Sequence, residues 1–443
     1  MAQLDPAWLD ELSAWLRIPS VSADLAHADD VRRAGEWLCE LVRSAGGECD
    51  VVLQNGSPLA VGELRASNGA EAAPTVLVYG HFDVQPPEPL DLWESDPFEP
   101  AVRDGYLYAR GAADDKGQLY LLLKAAALLA AEGALPVNVR FACDGEEEIG
   151  GHSIIDFLAA DERGADACVI FDAGMLDEGI PAFFVATRGV IYFHVRALTG
   201  RRDLHSGIYG GAALNAIHAL VQTLGGVLPR DGRLPEPLRA GRAAPTEQEL
   251  ADWAALSPGT RQLDSQGARP ADSSAAEEFY LRTFAEPSVD VNGIEGGSPQ
   301  LQKTVVPVAA EANVSIRLAP GQRVEEIGPA FERLLREAAP AGAEIEVERR
   351  SAAPPGLVDP RSPAIVLGLD AFERLFGVRP ALVRNGGTLP IVATLSERGI
   401  PTILTGVALP DANIHSPNER LRVEDIQQGV EAARGLFQAW AAL

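Results

Sequence analysis

The run Thr75-Val76-Leu77-Val78-Tyr79-Gly80-His81-Phe82-Asp83 decides the fold. Its first five residues are β-branched, aliphatic or aromatic, too few for a helix, and closed off by Pro74 and Gly80; they read as a buried strand. A strand that is apolar on both faces belongs to a sheet covered on both sides. Polar residues, His81 and Asp83, follow directly at its carboxyl end. The pattern recurs along the chain. Residues 137–143 lead into Asp144-Gly145-Glu146-Glu147-Glu148, residues 167–171 into Asp172, and residues 402–404 through a Gly- and Pro-containing loop to His415. Helical stretches at 117–132 and 153–160 separate the first three strands, the alternation of an α/β fold.

Outward from this core, Asp5-Pro6 reads as an N-cap and first helical residue. Trp8, Leu9, Leu12, Trp15 and Leu16 then recur at helical spacing. A second helix runs from about Asp29 to Gly46-Gly47. The middle changes character: strands at 190–198, 303–306, 311–318 and 343–347 with helices at 212–224 and 324–338 give β-α-β-β-α-β, a ferredoxin-like α+β order. A Pro-, Arg- and Ala-rich insertion at 228–298 interrupts it, and Pro354-Pro355 marks the exit. Beyond lie helices at 363–376, 389–397 and 423–441 and strands at 381–384 and 402–404. The expectation is an α/β catalytic domain in two pieces, 1–187 and 353–443, with a smaller α+β domain inserted at 188–352.

Composition limits the function. Lys and Arg number 37 against 63 Asp and Glu, a net charge of −26. Such a field repels phosphate backbones and anionic lipid surfaces, so neither nucleic acid nor membrane is an expected partner, whereas divalent cations suit clustered acids. The apolar stretch 119–135 carries Lys124 and Glu132 and is too short to span a bilayer. Asp5, Asp10 and Glu11 interrupt the start where a signal peptide would be apolar. Cys39, Cys49, Cys143 and Cys168 show neither pairing nor metal spacing and read as reduced and buried. A cytoplasmic protein is expected.

Singly, each polar cluster has an ordinary explanation. His81 and Asp83 suit a turn, Glu146 to Glu148 a solvated acidic run, Asp114-Asp115 a helix N-cap, and His415 a surface position. Ligand sites in open α/β sheets, however, form at the carboxyl ends of strands. Four strands deliver His, Glu, Asp and His to that edge, and the loop Arg110 to Gly117 adds Asp114. Together they point to a metal site.

These motifs resemble the dinuclear zinc metallopeptidase family of carnosinase-like cytosolic dipeptidases, glutamate carboxypeptidase, acetylornithine deacetylase and succinyl-diaminopimelate desuccinylase. The similarity covers essentially the whole chain. It rests on Tyr79 to Pro86, Ala109 to Gln118 and Asp203 to Gly211, which look most like the dipeptidase branch. The resemblance implies an α/β/α catalytic domain with an inserted ferredoxin-like lid and dimerisation domain. It makes Asp114 the carboxylate bridging two metals, with His81 and Asp172 on one and Glu148 and His415 on the other. Glu147 would be the general base and Asp83 the partner of the far nitrogen of His81. Distance from Gly150 selects Glu147 and Glu148 over Glu146. Mixed His and carboxylate ligands suit Zn²⁺ best, with Mn²⁺ or Co²⁺ possible.

For substrate binding, the resemblance makes His205 an oxyanion donor reaching across a homodimer and Arg317 a fork for a free carboxylate, although packing or surface roles would explain either residue alone. Gly387 and Thr388, in Asn385-Gly386-Gly387-Thr388, bring backbone near a ligand, and Thr304 joins the same pocket. Relatives often carry an acid where Asn385 stands. The other histidines, His27, His152, His194 and His218, read as structural. The implied reaction is hydrolysis of the amide bond of a dipeptide or similar small substrate with a free C-terminal carboxylate. An N-acyl-amino-acid deacylase would use the same metal site.

Overall fold

The computed structural model describes residues 5–443, which form two compact units. The first comprises residues 5–185, 358–383 and 394–443, the second residues 186–357 and 384–393. Among the described residues, no helix is long and apolar enough to cross a membrane. All four cysteines are buried and free.

A mixed eight-stranded sheet organises the first unit, in the order Glu48–Gln54, Ser57–Leu64, Asn138–Asp144, Thr75–Tyr79, Ala167–Phe171, Thr402–Thr405, Ala182–Thr187 and Ala381–Asn385. Its four central strands run parallel, so their carboxyl ends share one edge. Every residue of Asn138–Asp144, Ala167–Phe171 and Thr402–Thr405 is buried, the polar Asn138, Arg140 and Asp144 included, as strands inside a sheet covered on both faces must be. Helix Lys116–Ala131 is sheathed by helix Val423–Ala439, which packs in turn on Pro363–Phe376. The opening helix Pro6–Leu16 begins as read from the sequence, with the Asp5 carboxylate accepting the Ala7 N–H.

Two hairpins were not read from the sequence. Glu48–Gln54 pairs with Ser57–Leu64 across Asn55-Gly56, at φ 52° and 93°, and Ala101–Arg103 pairs with Tyr106–Tyr108 across Asp104-Gly105, at φ 49° and 82°. Both are the Asx-Gly turns that favour positive φ at two successive positions. The second hairpin gains a third strand, Arg420–Arg422, which pairs with Tyr106–Tyr108. That pairing brings the loop after His415 to the start of the Arg110–Gly117 loop.

The second unit holds a four-stranded antiparallel sheet in the order Ser288–Glu295, Ala309–Leu318, Gly189–Leu198, Glu344–Ala353, with helices Ala216–Leu224 and Val324–Ala338 packed on one apolar core. This is β-α-β-β-α-β, but its second strand is not at 303–306. Ser288–Glu295 takes that place, from inside the stretch read as insertion. Only Val289 of its eight residues is buried and a bulge breaks its register at Val291/Gly293, so an edge strand without apolar alternation gave no signal. Val305–Val306 instead forms a two-stranded ribbon with Leu204–His205.

Candidate active site

The parallel strand ends and the loops that carry Asp114 and His415 bring their polar side chains together. His81 Nε2 lies 3.0 Å from Asp114 Oδ1 and 4.0 Å from both Asp172 Oδ1 and Glu147 Oε2. His415 Nε2 lies 2.9 Å from Asp114 Oδ2 and 3.2 Å from Glu148 Oε2. Two groups result, His81–Asp114–Asp172 and Asp114–Glu148–His415, each with one donor atom per residue within 4.8 Å of the others. Asp114 belongs to both and offers a different oxygen to each histidine. Glu146, the third glutamate of the run, faces elsewhere: its carboxylate accepts the Ser153 N–H at 2.8 Å and meets the Ser57 hydroxyl.

Local backbone chemistry sets these positions. A Cβ on Gly80 would lie 2.6 Å from Asp115 Oδ2, the atom that accepts the His81 N–H, and one on Gly117 would fall 1.8 Å from the Ala112 carbonyl oxygen. Only glycine permits either approach. The Asp114–Asp115 peptide bond is cis. His415 has φ +58°, a left-handed conformation uncommon for a residue with a side chain and typical of functional positions.

Asp83 does more than the sequence suggested. His81 Nδ1 is 3.1 Å from the Asp83 backbone oxygen and 3.4 Å from its carboxylate. That fully buried carboxylate also accepts the N–H groups of Glu147 and Glu148, at 3.3 and 3.1 Å. One acid thus orients a histidine and the glutamate turn together.

Sequence reading missed two residues. Glu419 is fully buried; it accepts Arg110 Nη1 at 2.7 Å and the N–H groups of Gly111, Ala113 and Asp114 at 3.0, 2.8 and 3.0 Å, clasping the loop that carries Asp114. Gln118 donates to the carbonyls of Ala113 and Ala173 and accepts from the N–H groups of Val407 and Ala408, tying three loops together. Glu419 follows His415 in the same loop and Gln118 stands in the first turn of the helix after Asp114, but nothing local distinguishes a buried clasp from a solvated acid or amide.

The electrostatics call for cations. Burial, and next the Asp114 charge, push Asp172 well above the usual carboxylate range. Burial likewise raises Glu147. For Asp114, burial opposes ionisation, but hydrogen bonds from His415 and His81 outweigh it and hold the acid low. Its partner His415 rises to about 10 through hydrogen bonds to Asp114 and Glu148. Glu148 Oε1 and Asp115 Oδ1 are buried and accept no hydrogen bond among the described residues. An acceptor left bare at such depth costs about 1–3 kcal/mol and more when charged. Imidazole and carboxylate donors, one shared carboxylate and an unpartnered buried oxygen fit two divalent ions.

The remaining candidates lie in the second unit. His205 is exposed on the short ribbon, where its Nδ1 accepts the Gly207 N–H at 3.1 Å, and the carbonyl of exposed Thr304 accepts the Ser206 N–H at 2.9 Å. Arg317 Nη1 donates to Thr388 Oγ1 at 2.9 Å, and Gly387 N–H to Asn385 Oδ1 at 2.8 Å.

Residues 77–439 match the model of peptidase family M20/M25/M40. The chain belongs to this family. As a member it is a metallopeptidase, a hydrolase of peptide bonds. It is 28% identical over 412 residues to the cysteinylglycine-S-conjugate dipeptidase of Corynebacterium striatum, covering 90% of this chain and 88% of that relative. To the Beta-Ala-His dipeptidase of Homo sapiens it is 30% identical over 390 residues, covering 83% and 75%. The crystal structure of human carnosine dipeptidase 1 superposes with a TM-score of 0.74 at 26% identity, covering 99% of this chain and 96% of that one. The M20/M25/M40 match includes every residue of the two metal-type groups.

Proposed function

We propose that this chain is a dinuclear-metal dipeptidase that hydrolyses the amide bond of dipeptides, or similar small substrates, with a free C-terminal carboxylate. The observation that carries this reading is the sharing of Asp114 between two donor groups with the Glu147 carboxylate beside them. Relatives named as dipeptidases support the substrate class. His81 and Asp172 would hold one ion, Glu148 and His415 the other, and Asp114 both; Zn²⁺ suits this donor set best, with Mn²⁺ or Co²⁺ as substitutes. When bound, the ions supply Lewis-acid polarisation and make water a competent nucleophile near neutral pH. Glu147 takes the proton of the attacking water and returns it to the leaving amine. Asp83 holds the His81 ring and the Glu147 backbone in register for that transfer. His205, supplied by a second subunit, donates to the developing oxyanion. Arg317 grips the substrate carboxylate as a fork, with Gly387, Thr388 and Thr304 around it. In this reading residues 1–187 and 353–443 are the catalytic domain, residues 188–352 the lid and dimerisation domain, and the protein a cytoplasmic homodimer.

Glu147→Gln is the direct test. It should retain two metals per chain by elemental analysis while dipeptide turnover falls roughly 10²–10⁴-fold, the usual contribution of a general base. Unchanged turnover with intact metal content would remove Glu147 from the mechanism. A panel setting dipeptides against N-acyl amino acids separates dipeptidase from deacylase.

A further inference from the structure

Within the second unit, two arginines share one loop. Arg188 precedes strand Gly189–Leu198; its N–H donates to the carbonyls of Asn385 and Gly387, at 3.2 and 3.0 Å, and its Nε to that of Gly386 at 3.0 Å. Arg317 reaches the next residue, Thr388, at 2.9 Å. Ser288, the register partner of Arg317, accepts from Arg188 Nη1 at 3.4 Å. Residues 385–388 thus hold both side chains, Arg188 through the Gly386 carbonyl and Arg317 through the Thr388 hydroxyl.

Every oxygen bonded to these guanidiniums is neutral, and neither forms an ion pair among the described residues. That is unusual in a chain with 63 acids and 37 basic side chains. Arg384, one residue before the same loop, shows the usual arrangement: it is buried and paired with Glu249 at 2.6 Å. Burial, and next the charge of Arg317, push Arg188 down to about 10, with exposed Asp290 opposing more weakly. The neutral Asn385 side chain sits at the hub of the loop, its oxygen committed to the Gly387 N–H. Two half-buried like charges repel at short range and are costly without an anion. Guanidinium forks match a carboxylate in shape as well as charge.

We propose that Arg188 and Arg317 form one two-guanidinium subsite for a carboxylate, in which Arg188 is a second specificity-determining residue that sets the charge requirement. Assigning that carboxylate to the C-terminus of a dipeptide rests on the proposed function above; the subsite itself does not. A residue that only braced the loop would affect all substrates alike, whereas this role discriminates an acid from its amide.

The test compares alanyl-alanine with alanyl-alaninamide in metal-loaded wild type, Arg188→Met and Asn385→Asp. Arg188→Met should lower kcat/KM for the acid by roughly 10- to 100-fold, the worth of a charged hydrogen bond, mainly through KM. The amide should change less than about threefold. Asn385→Asp keeps the acceptor for Gly387 N–H but offers an internal carboxylate, so it should erode the acid preference in the same direction even if Arg188→Met folds poorly. Calorimetry with N-acetylalanine and N-acetylalaninamide reads the subsite without turnover. Equal losses for acid and amide in Arg188→Met, or an unchanged acid-to-amide ratio in both variants, would overturn the proposal. Turnover with that unchanged ratio leaves the dipeptidase reading standing. Arg188-dependent carboxylate binding in a protein that cleaves no dipeptide would remove the dipeptidase reading and leave the subsite.

Discussion

Glu419 shows how much one buried side chain can organise. It is the acceptor for the loop N–H groups of Gly111, Ala113 and Asp114 and for Arg110, whose guanidinium is itself buried. Removing it as Glu419→Ala leaves Arg110 an uncompensated buried charge, a loss of about 3–5 kcal/mol. Glu419→Gln keeps one acceptor oxygen but sets an NH2 group against the donors of the other and weakens the Arg110 contact, so it should destabilise less than Glu419→Ala while loosening the Asp114 loop. We expect its affinity for divalent metal, measured by chelator competition, to fall about 10- to 100-fold, the usual effect of a residue that orients metal ligands. Affinity equal to wild type would mean that the Asp114 loop holds its shape without this clasp.

At the scale of elements, the buried parallel strands and amphipathic helices were legible because burial writes itself as composition and periodicity. The edge strand Ser288–Glu295 was not, because most of its side chains meet water and only pairing to Ala309–Leu318 makes it a strand. Inside the insertion, helix Glu247–Ala254 opens with a Thr246–Glu249 capping box, and Glu249 also pairs with Arg384. Burial raises the Glu249 pKa, but the Arg384 bond, with Thr246, lowers it further, for a net fall below 4.5. A depressed carboxylate contributes stability that is present above its unfolded pKa and lost as pH falls through its folded pKa. The second unit should therefore lose stability below about pH 4.5. Glu249→Gln should lower its melting temperature at pH 7 and flatten that acid limb. A parallel acid limb in the variant would show that this pair does not govern it.

For the whole molecule, the proposed two-ion site makes a stability prediction, because five ligand-type side chains converge in a chain with a surplus of acids. A ligand that binds only the folded state stabilises it by about 2.7 kcal/mol at 100 times its dissociation constant. Chelation should lower the melting transition of the first unit and added Zn²⁺ restore it, with the second unit little changed. Differential scanning calorimetry reads both, and a first-unit transition indifferent to chelator would contradict the two-ion reading. A homodimer with shared sites makes a separate prediction. His205→Ala and Glu147→Gln subunits, each inactive alone, should recover partial activity when mixed, whereas a fully active monomer would exclude a shared site.

The sequence by itself determined the α/β core, the strand ends at which His81, Glu147, Glu148 and Asp172 stand, and the chemical character of the site, because apolar runs must be buried and polar residues at their ends must meet at one sheet edge. Only the tertiary structure decided which oxygen of Asp114 faces which histidine, that Glu146 turns toward Ser153, that Glu419 and Gln118 fasten the loops, and that Arg188 joins Arg317 at one turn. Those outcomes depend on side chains meeting one another and the backbone amides and carbonyls of distant segments, and such hydrogen bonding leaves no periodic trace in the order of side chains.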